Sequence, residues 1–213
     1  MMKIGILGSG VVGKVLAGGF MKHGHEVMLG TRYPDRLAQW SRENHSAKIA
    51  SATQTAQFAE LVVLAVKGSA ALLAVRDAGV GNLDGKIVID STNPIADAPP
   101  TNGVLKFFTS LDKSLMEQLQ AEFPRVRFVK AFNSVGNARM VNPEYVAGRP
   151  TMFICGNDAP AKQTVARLLD QFGWETEDMG MVEAARAIEP LCMLWCIRGL
   201  LHNEWGHAFK LLK

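Results

Sequence analysis

A chain of 213 residues, 48% apolar and 20% charged, has material for one substantial core and an appendage. A net charge of +3 without clustered Lys and Arg excludes a nucleic-acid stripe, and three cysteines, an odd number, exclude a secreted disulfide framework. The start, "MMKIGILGSG", has no charged leader before a long apolar stretch, so no signal peptide is read and the reducing cytoplasm is the expected compartment.

In chain order, short apolar runs alternate with helix-length segments. "KIGILG" (3–8) predicts a buried strand and "VVGKVLAGGFMKHG" (11–24) a helix closed by Gly24. "EVMLG" (26–30) is a second strand, and "PDRLAQWSREN" (34–44) a helix with Pro34 in its first turn. Further strands are expected at 48–50, 59–67, 86–92 and 125–133, the last preceded by a helix over 114–123. Strand, helix and strand follow at 151–156, 159–173 and 174–180. Buried strands separated by helices imply an α/β fold with a doubly wound parallel sheet of Rossmann type, whose ligand crevice lies beyond the carboxyl ends of the strands. The long Pro-rich loop "NPIADAPPTNG" (93–103) falls at that crevice.

Residues 1–180 form this expected dinucleotide-binding domain. Residues 181–213 are helix-rich, dense in Trp and Met, and too few to build a core of their own. A helix over 188–201 is expected to pack on the crevice and to close a homodimer. Its apolar run "LCMLWCI" (191–197) is too short for a bilayer, which needs about 20 residues. No membrane and no nucleic acid is expected among the partners.

The chemistry begins at "GILGSGVVG". Gly8-x-Gly10-x-x-Gly13 follows a predicted strand and opens a predicted helix, the setting in which this pattern binds a dinucleotide pyrophosphate. Proteins that read NAD place an acid about 20 residues further on, to accept from the ribose 2′-hydroxyl. Here "GTRYPDR" puts Thr31 at that place, 18 residues past Gly13, with Arg32 next and Arg36 one turn on. A hydroxyl and two guanidinium groups suit a 2′-phosphate, so the cofactor is read as NADP(H). At later strand ends, "AVK" (Ala65, Val66, Lys67) borders the expected nicotinamide ribose, and "NP" (Asn93, Pro94) fixes the nicotinamide or simply sets a turn. Lys130 and Asn133 are weak catalytic candidates, because alternation along the strand turns Lys130 away from the face that Asn133 shares with the crevice. No metal site is read. His202 and His207 are too far apart for one helical face, and Cys192 and Cys196 pack as small hydrophobes, with a redox pair as the alternative.

Five stretches, "MKIGILGSGVVG", "VMLGTR", "LVVLAVK", "VIDSTNP" and "VKAFNSVG", occur in order at strand ends. Together they resemble the F420-dependent NADP oxidoreductase family, to which the cytoplasmic reductase domain of the STEAP metalloreductases is similar. The resemblance implies NADPH in the crevice and a flat deazaflavin or flavin stacked on the nicotinamide. It implies that Gly8, Ser9, Gly10, Val11 and Val12 hold the pyrophosphate, that Thr31, Arg32 and Arg36 hold the 2′-phosphate, and that Val66, Lys67 and Asn93 line the nicotinamide side. Asn133 departs from members that carry histidine there, so F420, FMN, FAD or another acceptor stays open. Two other readings stand beside it. One is a β-hydroxyacid-type dehydrogenase with Lys130 as acid, and the other a non-catalytic NADP(H)-sensing module.

Overall fold

The computed structural model describes all residues, 1–213. Six parallel strands run in the order β3-β2-β1-β4-β5-β6: β1 (Lys3–Leu7), β2 (Glu26–Gly30), β3 (Lys48–Ala50), β4 (Leu61–Leu64), β5 (Ile87–Asp90) and β6 (Arg127–Lys130). Strand order reverses between β1 and β4, and the crevice opens there. Side chains alternate between two apolar cores, one on each face of the sheet. Ile4, Ile6, Val63, Ile89 and Val129 enter one core with Leu16, Phe20, Phe172 and Trp174. Leu7, Val62, Leu64, Val88 and Phe128 enter the other with Val75, Leu115 and Leu119.

The helices are α1 (Val11–Lys22), α2 (Ala38–Glu43), α3 (Ala52–Phe58), α4 (Ala71–Ala78), α5 (Val80–Leu83) and α6 (Leu115–Glu122). The sequence reading did not separate out α3, α4 and α5. Of these, α3 carries a local start signal, a capping box in which Ser51 accepts from the Gln54 amide and Gln54 accepts in return. The segment opened by Pro34 begins as a 3-10 turn, Pro34–Leu37, before continuing as α2.

After β6 the chain crosses residues 131–150 without a crossover helix. It returns as β7 (Thr151–Ile154), α7 (Ala159–Gln171) and β8 (Glu175–Asp178), with β7 and β8 paired in parallel. This unit meets β6 through an antiparallel bridge, Lys130 with Cys155, in which the Lys130 amide donates to the Cys155 carbonyl at 3.0 Å. The parallel run therefore stops at β6, because only a crossover can keep the strand direction. The last helix, α8 (Ala185–His202), ends on Asn203 in the left-handed region, φ 57°. The remaining residues return to β7, where the Thr151 amide donates to the Phe209 carbonyl at 2.9 Å. No helix is long and apolar enough to cross a membrane.

Trp174 joins these parts. It is buried, and its Nε1 donates to the Met140 carbonyl at 2.9 Å, tying the start of β8 to the loop after β6. Trp174→Ala is expected to cost about 3–5 kcal/mol, read as a lower urea midpoint with unchanged slope.

Candidate functional site

The chain leaves β1 through Gly8 at φ +122°, a conformation open to glycine. A Cβ on Gly8 would stand 2.2 Å from the Ala65 carbonyl oxygen, where the chain leaves β4. A Cβ on Gly13 would stand 2.0 Å from the Gly8 carbonyl oxygen. These contacts seat the first turn of α1 against the β1 turn. Gly10 caps α1 without a side-chain hydrogen bond, and its own Cβ position is open space. The first amides of α1, at Val11, Val12 and Gly13, have no intrahelical acceptor and no acid beside them.

A cavity of about 500 Å³ opens over this turn. Gly8, Ser9, Gly10, Thr31, Arg32, Arg36, Ala65, Val66 and Lys67 line it together. Tyr33, Ala70, Leu73, Ala74 and Asp77 also line it and were not read from the sequence. Most of these sit on or before α4, whose amphipathic run "AALLAVRDA" was the available signal.

Three cations and one acid line the cavity, so its field favours an anion. The Thr31 hydroxyl oxygen accepts the Tyr33 amide at 3.0 Å and lies 2.9 Å from the Ser9 hydroxyl. That pairing lets one hydroxyl hydrogen of the two point into the cavity. The Arg36 guanidinium lies over the Tyr33 ring at 4.5 Å, and Arg32 lies 5.8 Å from the same ring. Neither guanidinium has an ion-pair partner. Lys67 instead pairs with Asp97 at 3.1 Å, both well exposed, a contact of little energetic weight.

Asn93, Pro94 and Asn133 form a second group, at the ends of β5 and β6. Asn93 Nδ2 donates to the Asn133 carbonyl at 2.7 Å. Asn133 Nδ2 donates to the Ile188 carbonyl on α8 at 2.8 Å and to Asn93 Oδ1 at 3.3 Å. Asn133 is 3% exposed, and its Oδ1 is buried without a partner. Phe132, just before it, has φ +63°, a strained backbone for a bulky residue that core packing against Phe172 holds in place.

Lys130 lies on the opposite face from Val129, with no exposed side-chain surface. Its Nζ stands 2.6 Å from Asp90 Oδ2, 3.0 Å from Glu189 Oε1, and donates to the Thr92 carbonyl at 2.9 Å. Burial pulls its pKa down, but the two carboxylates outweigh burial and hold it up at about 12. A general acid must reach the proton acceptor, and an ammonium committed to three buried oxygens does not. Cys192 is buried, Cys196 is half-buried, and both are free thiols. His23 and His25 bond Asn142 and Gln171 away from the crevice. No group of His, Cys, Asp and Glu is arranged to hold a metal ion.

The fit to a dinucleotide rests on the close approach of Gly8 to the Ala65 backbone. Gly8→Ala is expected to push the β1 turn off Ala65 and to weaken dinucleotide binding by about 10-fold or more, read by calorimetry as 1.4 kcal/mol for each factor of ten.

Comparison with known proteins agrees with this geometry. Residues 3–94 match the family model described as NADP oxidoreductase, coenzyme F420-dependent. A solved structure from Arthrobacter sp. FB24, provisionally named an F420-dependent NADP-reductase, is 35% identical, with TM-score 0.94 and full coverage of both chains. Rat metalloreductase STEAP3 is 31% identical over 206 residues, 93% of this chain and 39% of that protein. Human metalloreductase STEAP2 is 26% identical over 88% of this chain and 35% of that protein, so the chain spans well under half of these curated relatives. An imine reductase from Myxococcus stipitatus in complex with NADP+, 14% identical with TM-score 0.71 over 95% of this chain and 63% of that one, shares the fold. This chain belongs to the F420-dependent NADP oxidoreductase family, a family of NADP-dependent oxidoreductases with a Rossmann-like α/β fold.

Proposed function

We propose that the protein transfers hydride between NADP(H) and a flat, flavin-like or deazaflavin acceptor. The observation that carries this reading is the end of β2, where two unpaired guanidinium groups and a hydroxyl stand where an acid would read a free 2′-hydroxyl. Thr31, Arg32 and Arg36 would hold the 2′-phosphate. Gly8, Ser9, Gly10 and the first amides of α1 would hold the pyrophosphate. Val66, Lys67, Asn93 and Pro94 would border the nicotinamide, with Asn133 behind them.

When bound, NADPH supplies the hydride. What remains for the protein is proximity, orientation and exclusion of water. A ring-to-ring transfer needs no strong protein acid, which agrees with the burial of Lys130. The dehydrogenase reading needs Lys130 as an acid and is disfavoured by that burial. A homodimer is part of the proposal, supported by exposed Leu194, Leu200, Leu201 and Trp205 on and after α8.

Two measurements test the proposal. Loss of NADPH absorbance with FMN, FAD, riboflavin, F420 and ferric chelates offered in turn identifies the acceptor, and turnover with none of them would favour a sensing module. Calorimetry at fixed salt tests the cofactor. Arg32→Ala is expected to weaken NADPH by about 10- to 100-fold, the loss of one charge-assisted hydrogen bond, with much less effect on NADH. Thr31→Asp with Arg32→Ala should reverse the preference. Equal affinity of the unaltered protein for NADH and NADPH would make these arginines a solvated helix start.

A further inference from the structure

We infer that Lys130 and Glu189 are positioning residues that clamp α8 to the end of the crevice bordered by Asn93 and Asn133, so that the nicotinamide half of NADP(H), and not the adenosine half, depends on them. The inference rests on the NADP(H) reading above.

The contacts converge from five segments. Lys130 on β6 meets Asp90 on β5, Glu189 on α8 and the Thr92 carbonyl in the loop after β5. Asp90 Oδ1 also accepts the Thr92 amide at 2.9 Å and hydroxyl at 2.6 Å. Glu189 accepts the first amides of α6, from Leu115 and from Met116, each at 3.0 Å. Asp90 and Lys130 are direct neighbours in the sheet register, so one pleat face delivers both.

From this knot the contacts reach the crevice in one step. Thr92 precedes Asn93, whose carbonyl oxygen would lie 2.0 Å from a Cβ on Gly68. The strand-end segment containing Val66 and Lys67 therefore rests directly on the loop that Lys130 holds. On α8, Ile188 precedes Glu189, and its carbonyl accepts from Asn133. Two successive residues of one helix are thus tied, one to Asn133 and the other to the knot behind it.

Stability alone does not account for Glu189. Lys130 and Asp90 already form a neutral pair, and a third buried charge is costly to desolvate. The added carboxylate is offset by the ammonium and the two α6 amides, and what it supplies is direction. Pro190 comes next and has no amide to donate to the Arg186 carbonyl, so α8 lacks a ladder bond where it docks. Side-chain anchors fix the helix where its own hydrogen bonding is interrupted. Asn133, which follows the strained Phe132, donates to Ile188 at the same point.

Glu189→Gln tests this, because it keeps the shape and leaves the Lys130–Asp90 pair neutral. Calorimetry compares NADPH with 2′,5′-ADP, which carries the adenosine and 2′-phosphate but no nicotinamide. The variant should bind 2′,5′-ADP as the unaltered protein does and NADPH about 3- to 30-fold more weakly, the range of such indirect couplings. Equal weakening of both ligands, or no change in either, overturns the inference. A second measurement needs no variant. In the unaltered protein, NADP+ should slow amide hydrogen exchange over residues 185–202 and 91–95, and 2′,5′-ADP should not. The same protection by both ligands, or by neither, would also overturn it. Failure of the unaltered protein to bind 2′,5′-ADP would remove the NADP(H) reading and the inference with it, whereas binding of 2′,5′-ADP without the split would remove the inference alone.

Discussion

Two backbones pass at Gly8 and Ala65 with no room for a side chain between them, and the site depends on that approach. It lets the β1 turn lie flat at the point where strand order reverses. It lets Gly13 rest on the Gly8 carbonyl, so that α1 starts with its free amides facing the crevice. The same turn brings Ser9 to Thr31 across the β1–β2 gap. A side chain at Gly8 would part β1 from β4 and move every one of these groups together.

The proposed site divides into two halves of different physical character. The β2 end is exposed, positively charged and free of internal ion pairs, so its cations remain available to a phosphate. The β5 and β6 ends are buried, and nearly every polar group there is spent on another protein group. The first half suits strong, salt-sensitive attraction. The second suits rigidity, since side chains committed to one another cannot reorganise around a ligand.

Much of this was legible in the sequence because it is local. The strand from Lys3, the glycine spacing and the Thr31–Arg32–Arg36 set each depend on neighbours within a turn or a strand. The parallel sheet followed from continuous apolar strands such as "LVVL". What escaped was non-local or short. The antiparallel return of β7 depends on a connection of irregular structure that has no period to read. Helices α3 to α5 are only seven, eight and four residues long, too short for a helical period to repeat over several turns. Alternation alone turned Lys130 away from the crevice. Its partners could not be found that way, since Asp90 and Glu189 lie on other elements of the chain.

Glu189 shows how far a local reading reaches. In sequence it is a lone acid before "PLCMLWC", the sort of residue usually assigned to a solvated helix face. It is 1% exposed. Burial of a carboxylate without partners would neutralise it or expel it, so a charged, buried Glu requires donors already in place. Lys130 on β6 and the α6 amides are those donors, and all of them lie outside α8. The sheet domain therefore specifies where the last helix goes. In turn, that helix accepts from Asn133 at the buried half of the proposed site.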